Sequence, residues 1–354
     1  MKKNPITISN GLKIAAIYAS VFLGAGFASG NELLQYFVGF GRIGLLGIGI
    51  AGAIFALTGW AVLHICRRQN LKNYNQLMAH LFGQRLGGIM EGVVVLFLFC
   101  LFVAMLAGAG ATGREAFGLP FTIGSFAVGV CVFLVLCFGL TGIVKINVVL
   151  APFMLFGGIF IGLFTFFVRT NPVFYMFAPG RLSLLWLLSA AVYASYNLVT
   201  GIPILAATAP MAEKRKDAAL GGLLGGGVIT ILGICMALPL FLYHTNFIDL
   251  EIPFLYIVTR HGDGIRLIYL AVLISAIVTT AACNAFAVAE WLKTRGYSNK
   301  VKIAAALCIL GVAVSHIGFS NIVAYVYPAF GFLGLFKIIV VLWHGFWYTS
   351  SKEK

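Results

Sequence analysis

The chain is built from ten long apolar runs, at about 12–37, 43–66, 86–112, 121–141, 143–168, 182–208, 217–243, 265–292, 301–317 and 319–347. One helical crossing of a bilayer takes roughly 20 apolar residues. The runs are continuous rather than alternating, which excludes an outer-membrane barrel, whose strands turn apolar and polar side chains to opposite faces in turn. Of the 354 residues, 61% are hydrophobic and 10% charged, whereas a soluble domain is about 45–50% apolar and about 25% charged. A water-soluble enzyme is excluded. The expected fold class is an all-α polytopic membrane protein with about ten transmembrane helices, its partner the lipid bilayer. Between the seventh and eighth runs, Ile252–Val258 is too short to cross and reads as a helix lying on the outer end of the bundle.

A net charge of +14 in a soluble protein would suggest nucleic acid. Here the positions of the charges explain it. Seventeen of the 24 Lys and Arg fall in segments on the side of the N-terminus, and six (Arg42, Arg114, Arg169, Arg181, Arg260 and Arg266) on the other, with Lys337 inside the last run. Positive charge retained on the cytoplasmic side gives that asymmetry. Both termini are therefore expected in the cytoplasm, and no nucleic-acid partner is expected. The seven cysteines show no paired spacing and read as small buried hydrophobes. Lys2, Lys3 and Lys13 precede an apolar run longer than a signal core, so no cleaved leader is expected.

Two runs carry residues that make poor mid-membrane helix. The first contains Gly24-Ala25-Gly26-Phe27-Ala28-Ser29-Gly30-Asn31-Glu32, and the sixth contains Tyr193-Ala194-Ser195-Tyr196-Asn197-Leu198-Val199-Thr200-Gly201-Ile202-Pro203. Lipid offers no hydrogen bonds, so irregular backbone at that depth survives only against protein or a water-filled cavity. Runs one and six hold equivalent places in two halves of five. An odd number of crossings per half inverts the second half, giving one transmembrane domain with repeat one at about 12–168 and repeat two at about 182–347. Interrupted helices at matching positions of inverted repeats mark a transporter binding site, because each break frees N–H groups for an anion and C=O groups for a cation. The glycines of run seven (Gly221, Gly222, Gly225, Gly226, Gly227) read instead as close helix packing.

The motif Gly24 to Glu32 resembles the signature of YkvI-type bacterial membrane proteins, with Asn31 where a Gln often stands. That family is placed in the amino acid–polyamine–organocation superfamily, and the resemblance extends over the whole chain in length and layout. It implies a LeuT-like fold with a five-plus-five inverted repeat and broken helices 1 and 6, in a bacterial cytoplasmic membrane.

Substrate is expected between the two breaks, at Gly26, Ala28, Ser29, Gly30 and Asn31 on one side and Tyr193, Ser195, Tyr196, Asn197, Thr200 and Gly201 on the other. The hydroxyls, amide and rings of the second group suit a small zwitterion. In run eight, Ala276, Thr279 and Thr280 share a helix face, so one carbonyl and two hydroxyls can converge. The set resembles the sodium site of LeuT-like transporters, which carbonyls of the first break, here about Gly24 and Phe27, would complete. No other cofactor is expected. Glu32 is a costly intramembrane carboxylate, suited to carrying a proton, binding an ammonium or gating. Lys337 must be paired, give up its proton or reach the interface, and Glu91 lies at a compatible depth to pair with it. No nucleophile–base pair, phosphate loop or metal cluster points to an enzyme. The sequence supports a cation-coupled secondary transporter, driven by sodium or protons, of a small amino acid or related amine. The alternative is a receptor or sensor that kept the fold. No obligate protein partner is evident.

Overall fold

The computed structural model describes residues 9–22, 24–168, 184–243 and 250–350. Of the charges that orient the chain, Lys2, Lys3, Arg169, Arg181, Lys352 and Lys354 lie outside them. Every apolar run forms mainly helix within the described residues. The elements are α1 (Asn10–Ser20), α2 (Ala25–Ser29), α3 (Asn31–Tyr36), α4 (Arg42–Arg68), α5 (Tyr74–Phe117), α6 (Phe121–Phe138), α7 (Leu140–Phe167), α8 (Leu185–Thr208), α9 (Arg215–Tyr243), α10 (Pro253–Thr259), α11 (Asp263–Thr294), α12 (Lys300–Ser315), α13 (Phe319–Asn321) and α14 (Tyr327–Ser350). Among the described residues, seven helices are long and apolar enough to cross a membrane. Large apolar side chains such as Phe138, Phe156, Trp343 and Trp347 stand exposed on the outside of the bundle. Their environment is lipid, since exposed apolar surface of this kind is rare on soluble monomers.

The short α10 lies where Ile252–Val258 was expected, with Pro253 in its first turn, where no N–H is needed. Three helices at the basic end start on side-chain caps. Ser9 accepts from Leu12 N–H, Asn73 from Gln76 N–H and Asn299 from Lys302 N–H. Run seven packs as its glycines suggested. A Cβ on Gly222 would collide with the backbone of Trp60, and one on Gly226 with that of Ala56, so α9 lies directly on α4. Gly221 and Gly225 admit Ile14 and Tyr18 of α1, whereas Gly227 faces open space.

Four local expectations are corrected. The third run does not begin at 86. Its helix begins at Tyr74 and bends at Gly83 (φ 78°, ψ 167°), a conformation open to glycine. The fourth and fifth runs do not part at 142: the turn between α6 and α7 is Gly139 alone, and α7 starts at Leu140. The last run contains a π-helical turn at Ile322–Val326; Pro328, next but one, has no N–H to continue the regular ladder.

The fourth correction is the largest. The first run is broken as expected: α1 stops at Ser20, α2 starts at Ala25, and Gly30 (φ 80°) sets the elbow into α3. The sixth is not broken. α8 runs as α-helix from Leu185 to Thr208 through Gly201 and Pro203. Its polar side chains turn back on their own helix, Asn197 Nδ2 donating to Tyr193 O (3.0 Å) and Thr200 Oγ1 to Asn197 O (2.8 Å). Polarity that is satisfied within the helix gives the backbone no reason to open.

Candidate functional site

A cavity of about 680 Å³ starts at the break between α1 and α2 and runs to the basic end of the bundle. Its floor is lined by Gly24, Gly26, Glu32 and Tyr196, and its far end by Tyr74 and Asn75 in the first turn of α5 and by Glu290, Trp291 and Thr294 at the end of α11. From Thr279 to Thr294 the wall of α11 is about 22 Å long at 1.5 Å per residue. The cavity therefore extends from the first-span break to the basic end of the bundle.

The floor is built around Glu32. The elbow at Gly30 folds α3 back so that the Glu32 carboxylate lies against Gly26, where a Cβ would overlap it. Tyr196 Oη on α8 donates to Glu32 Oε2 at 2.7 Å. Rings enclose the pair: Tyr196 stands 5.4 Å from Tyr36, 5.5 Å from Tyr193, 4.9 Å from Tyr327 and 6.3 Å from Phe97. Glu32 is 7% exposed and makes no ion pair among the described residues. An intramembrane carboxylate left without a cation is a candidate functional group.

The remaining residues of the first break hold the elbow. Ser29 Oγ donates to Gly26 O (3.0 Å) and accepts from Asn31 N–H (3.2 Å). Ala28 O accepts from Tyr269 Oη (3.1 Å). Asn31 faces away from the cavity and ties α3 to the outer end: its Nδ2 donates to Glu251 O (3.0 Å) and Ser320 Oγ (2.8 Å), and its Oδ1 accepts from Gln35 Nε2 (2.6 Å). Glu251 in turn lies 3.5 Å from Arg114, and the Glu115 carboxylate accepts from the N–H groups of Glu251 (2.8 Å) and Ile252 (3.2 Å). These bonds close the outer end over the site.

On α8, Tyr196, Asn197 and Thr200 line the cavity. Ser195 donates to Gly331 O (2.6 Å) and so faces α14. Tyr193 packs among Tyr36, Phe37 and Phe55, and Gly201 lies under Phe22 and Tyr18. Those three positions are not on the cavity wall.

The candidate cation ligands are only partly gathered. Thr279 and Thr280 line the cavity, and a Cβ on Gly24 would lie 3.7 Å from Thr280 Oγ1. Thr279 Oγ1 donates to Ser275 O (2.8 Å) and Ala276 O (3.2 Å), so its proton is spent while its lone pairs stay free. Phe27 and Ala276 instead border a separate small cavity of about 20 Å³ with Met154, Leu232 and Met236, an apolar lining that does not suit a hard cation.

Glu91 lines the main cavity, but the expected pairing with Lys337 is absent, since no ion pair joins them among the described residues. Lys337 is buried, its Nζ 5.5 Å from the centre of the Tyr74 ring. Tyr74 is brought there by the bend at Gly83, a long-range arrangement that residue spacing does not carry. Phe97, Tyr327 and Asn284 are further wall residues, with no local signal in the sequence to single them out.

No family model matches the chain. In sequence it is 29% identical over 325 residues to the membrane protein YkvI of Bacillus subtilis, covering 91% of this chain and 92% of the relative. It is 25% identical over 342 residues to the protein YyaD of the same organism, covering 94% and 96%. Among solved structures, the inward-facing conformation of Mhp1 aligns with a TM-score of 0.60 at 15% identity, covering 93% of this chain and 75% of that one. A substrate-bound, outward-open Na⁺-coupled sialic acid symporter gives 0.58 at 12%, covering 92% and 76%. A manganese transporter of Eremococcus coleocola gives 0.59 at 14%, covering 93% and 77%. The chain is a helical membrane protein of the LeuT-like transporter fold, similar along nine-tenths of its length to YkvI.

Proposed function

We propose that the protein is a cation-coupled secondary transporter of a small amino acid or related amine, working by alternating access in a bacterial cytoplasmic membrane with both termini inside. The observation that carries this reading is the cavity itself. It ends in mid-membrane on an unpaired carboxylate and a broken helix, is open along α11 toward the basic end, and is sealed at the other end through Asn31, Glu251 and Ser320. With the basic end cytoplasmic, this is the inward-open state. The reverse state requires α3 to release Ser320 and Glu251, and α1 to close on α5 and α11.

Two coupling routes meet at the floor. Sodium would bind between Gly24 and Thr280, with Thr279 completing the oxygen set. A proton would be carried by Glu32. The test is uptake of labelled substrate into proteoliposomes under a sodium gradient and, separately, a proton gradient. Uptake driven by sodium and lost in Thr280→Ala supports the first route; uptake driven by protons and lost in Glu32→Gln supports the second. Absence of gradient-driven uptake and of counterflow for all amino acids and amines tried would sink the transporter reading.

A further inference from the structure

The charges on the cavity wall do not match those of the chain. Lys and Arg number 24 against 10 Asp and Glu, yet among the described residues the lining includes Glu32, Glu91 and Glu290 and no Lys, Arg or His. Glu290 is held by Lys293. Glu32 and Glu91 make no ion pair among the described residues. The cavity thus attracts cations although the protein as a whole is strongly positive.

A substrate carboxylate would find little to bind. Its usual partners are a cationic side chain or free N–H groups at a helix start. Among the described residues no cationic side chain lines the wall. α8 is unbroken, so its mid-membrane N–H groups are committed within the helix. Beside Gly26, at the start of α2, the space is already filled by Glu32's own carboxylate. An entering anion would meet that carboxylate at close range.

An ammonium fits the same place. It can lie beside the Glu32 carboxylate that Tyr196 orients, with the Phe97, Tyr196 and Tyr327 rings around it, and aromatic faces attract a desolvated cation. Two wall residues carry a further polar group that is buried and without a partner among the described residues: the Tyr327 hydroxyl, on a side chain 1% exposed, and Asn284 Nδ2. Both are neutral. They can orient a hydroxyl at the far end of a substrate but cannot offset an anionic one.

We propose that the cavity selects a primary monoamine with an apolar or phenolic body and no carboxylate, its ammonium on Glu32, rather than a zwitterionic amino acid. This narrows the substrate of the transporter reading and rests on it. The test is a matched pair that differs only in the carboxylate. Labelled tyramine and labelled tyrosine are bound to the purified full chain in detergent, where no gradient acts. The expected result is saturable tyramine binding at least about tenfold tighter than tyrosine, since a buried carboxylate without a partner is strongly penalised. Glu32→Gln should weaken tyramine by at least about tenfold and Glu32→Asp by less, with both variants checked for wild-type melting behaviour. Tyr327→Phe, which keeps the ring, should reduce the preference for tyramine over phenethylamine. Equal or tighter binding of tyrosine overturns the proposal, and so does failure of folded protein to bind either compound. Binding of tyramine without its accumulation or counterflow in proteoliposomes upholds the site's selectivity and overturns transport instead.

Discussion

The first and sixth spans carry much the same warning in sequence, glycines and polar residues at mid-membrane, and they fold differently. α1–α2–α3 is interrupted, with Gly30 in the left-handed region and a carboxylate folded back onto Gly26. α8 is continuous, its Asn197 and Thr200 returning their hydrogen bonds to their own helix. A polar side chain therefore does not open a helix by being polar. It does so when its partner lies elsewhere, as for Asn31 with Ser320 and Glu251, and when a glycine lets the backbone reach that partner.

The difference can be broken first at the glycines. Gly26→Ala places a methyl group in the space of the Glu32 carboxylate and should abolish substrate binding and uptake, a loss of more than about 100-fold, since a misplaced group within a built site costs about that much. Gly201→Ala, under Phe22 on the unbroken helix, asks only for a small shift and should leave uptake within about threefold. Expression-matched uptake measures both, and equal loss in the two would erase the distinction.

Tyr196→Phe removes the hydroxyl that holds Glu32 and leaves the ring. Hydrogen bonds to charged groups are worth about 1.5–3 kcal/mol, so substrate affinity should fall by roughly 10–100-fold. A Tyr193→Phe variant, off the cavity wall, should bind as wild type. Titration of labelled substrate onto purified protein separates the two.

The cation ligands give a smaller contrast. Thr280→Ala should raise the sodium concentration needed for half-maximal uptake more than Thr279→Ala does, because only Thr280 faces Gly24. Uptake indifferent to sodium in the wild type would remove the comparison and leave Glu32 as the coupling group. Smallest of all, Asn31→Ala should loosen the outer seal without touching the floor. The expected outcome is a shift toward the outward-open state, seen as greater outside accessibility of a cysteine at Ser320, with affinity changed by no more than about threefold.

The membrane class, the positions of the helices and the first break were legible because each rests on local chemistry. Apolar length sets a crossing, α10 is too short to make one, and Gly24, Gly26 and Gly30 permit the break. Glu32 could be singled out in the sequence for the same reason, a carboxylate in a place that costs energy. What was not legible depends on which residue meets which across the fold. Asn31 gives no sign in sequence that it binds the outer seal rather than substrate. Ser195 gives none that it faces Gly331. Phe97 and Tyr327 are ordinary members of aromatic-rich spans until they meet around Tyr196. Lys337 could be recognised as buried, but its neighbour Tyr74 arrives only through the bend at Gly83.

The most direct measurement is sided accessibility of the cavity wall. In a cysteine-free background, a single cysteine at Asn284 is treated with a membrane-impermeant thiol reagent from each face of sealed, oriented vesicles, with and without substrate. The expected result is modification from the cytoplasmic face only, slowed when substrate fills the floor beside Glu32 and Tyr196. Modification from the outer face alone, from neither face, or at a rate untouched by a substrate the vesicles transport would contradict a pathway that runs from the first-span break to the basic end.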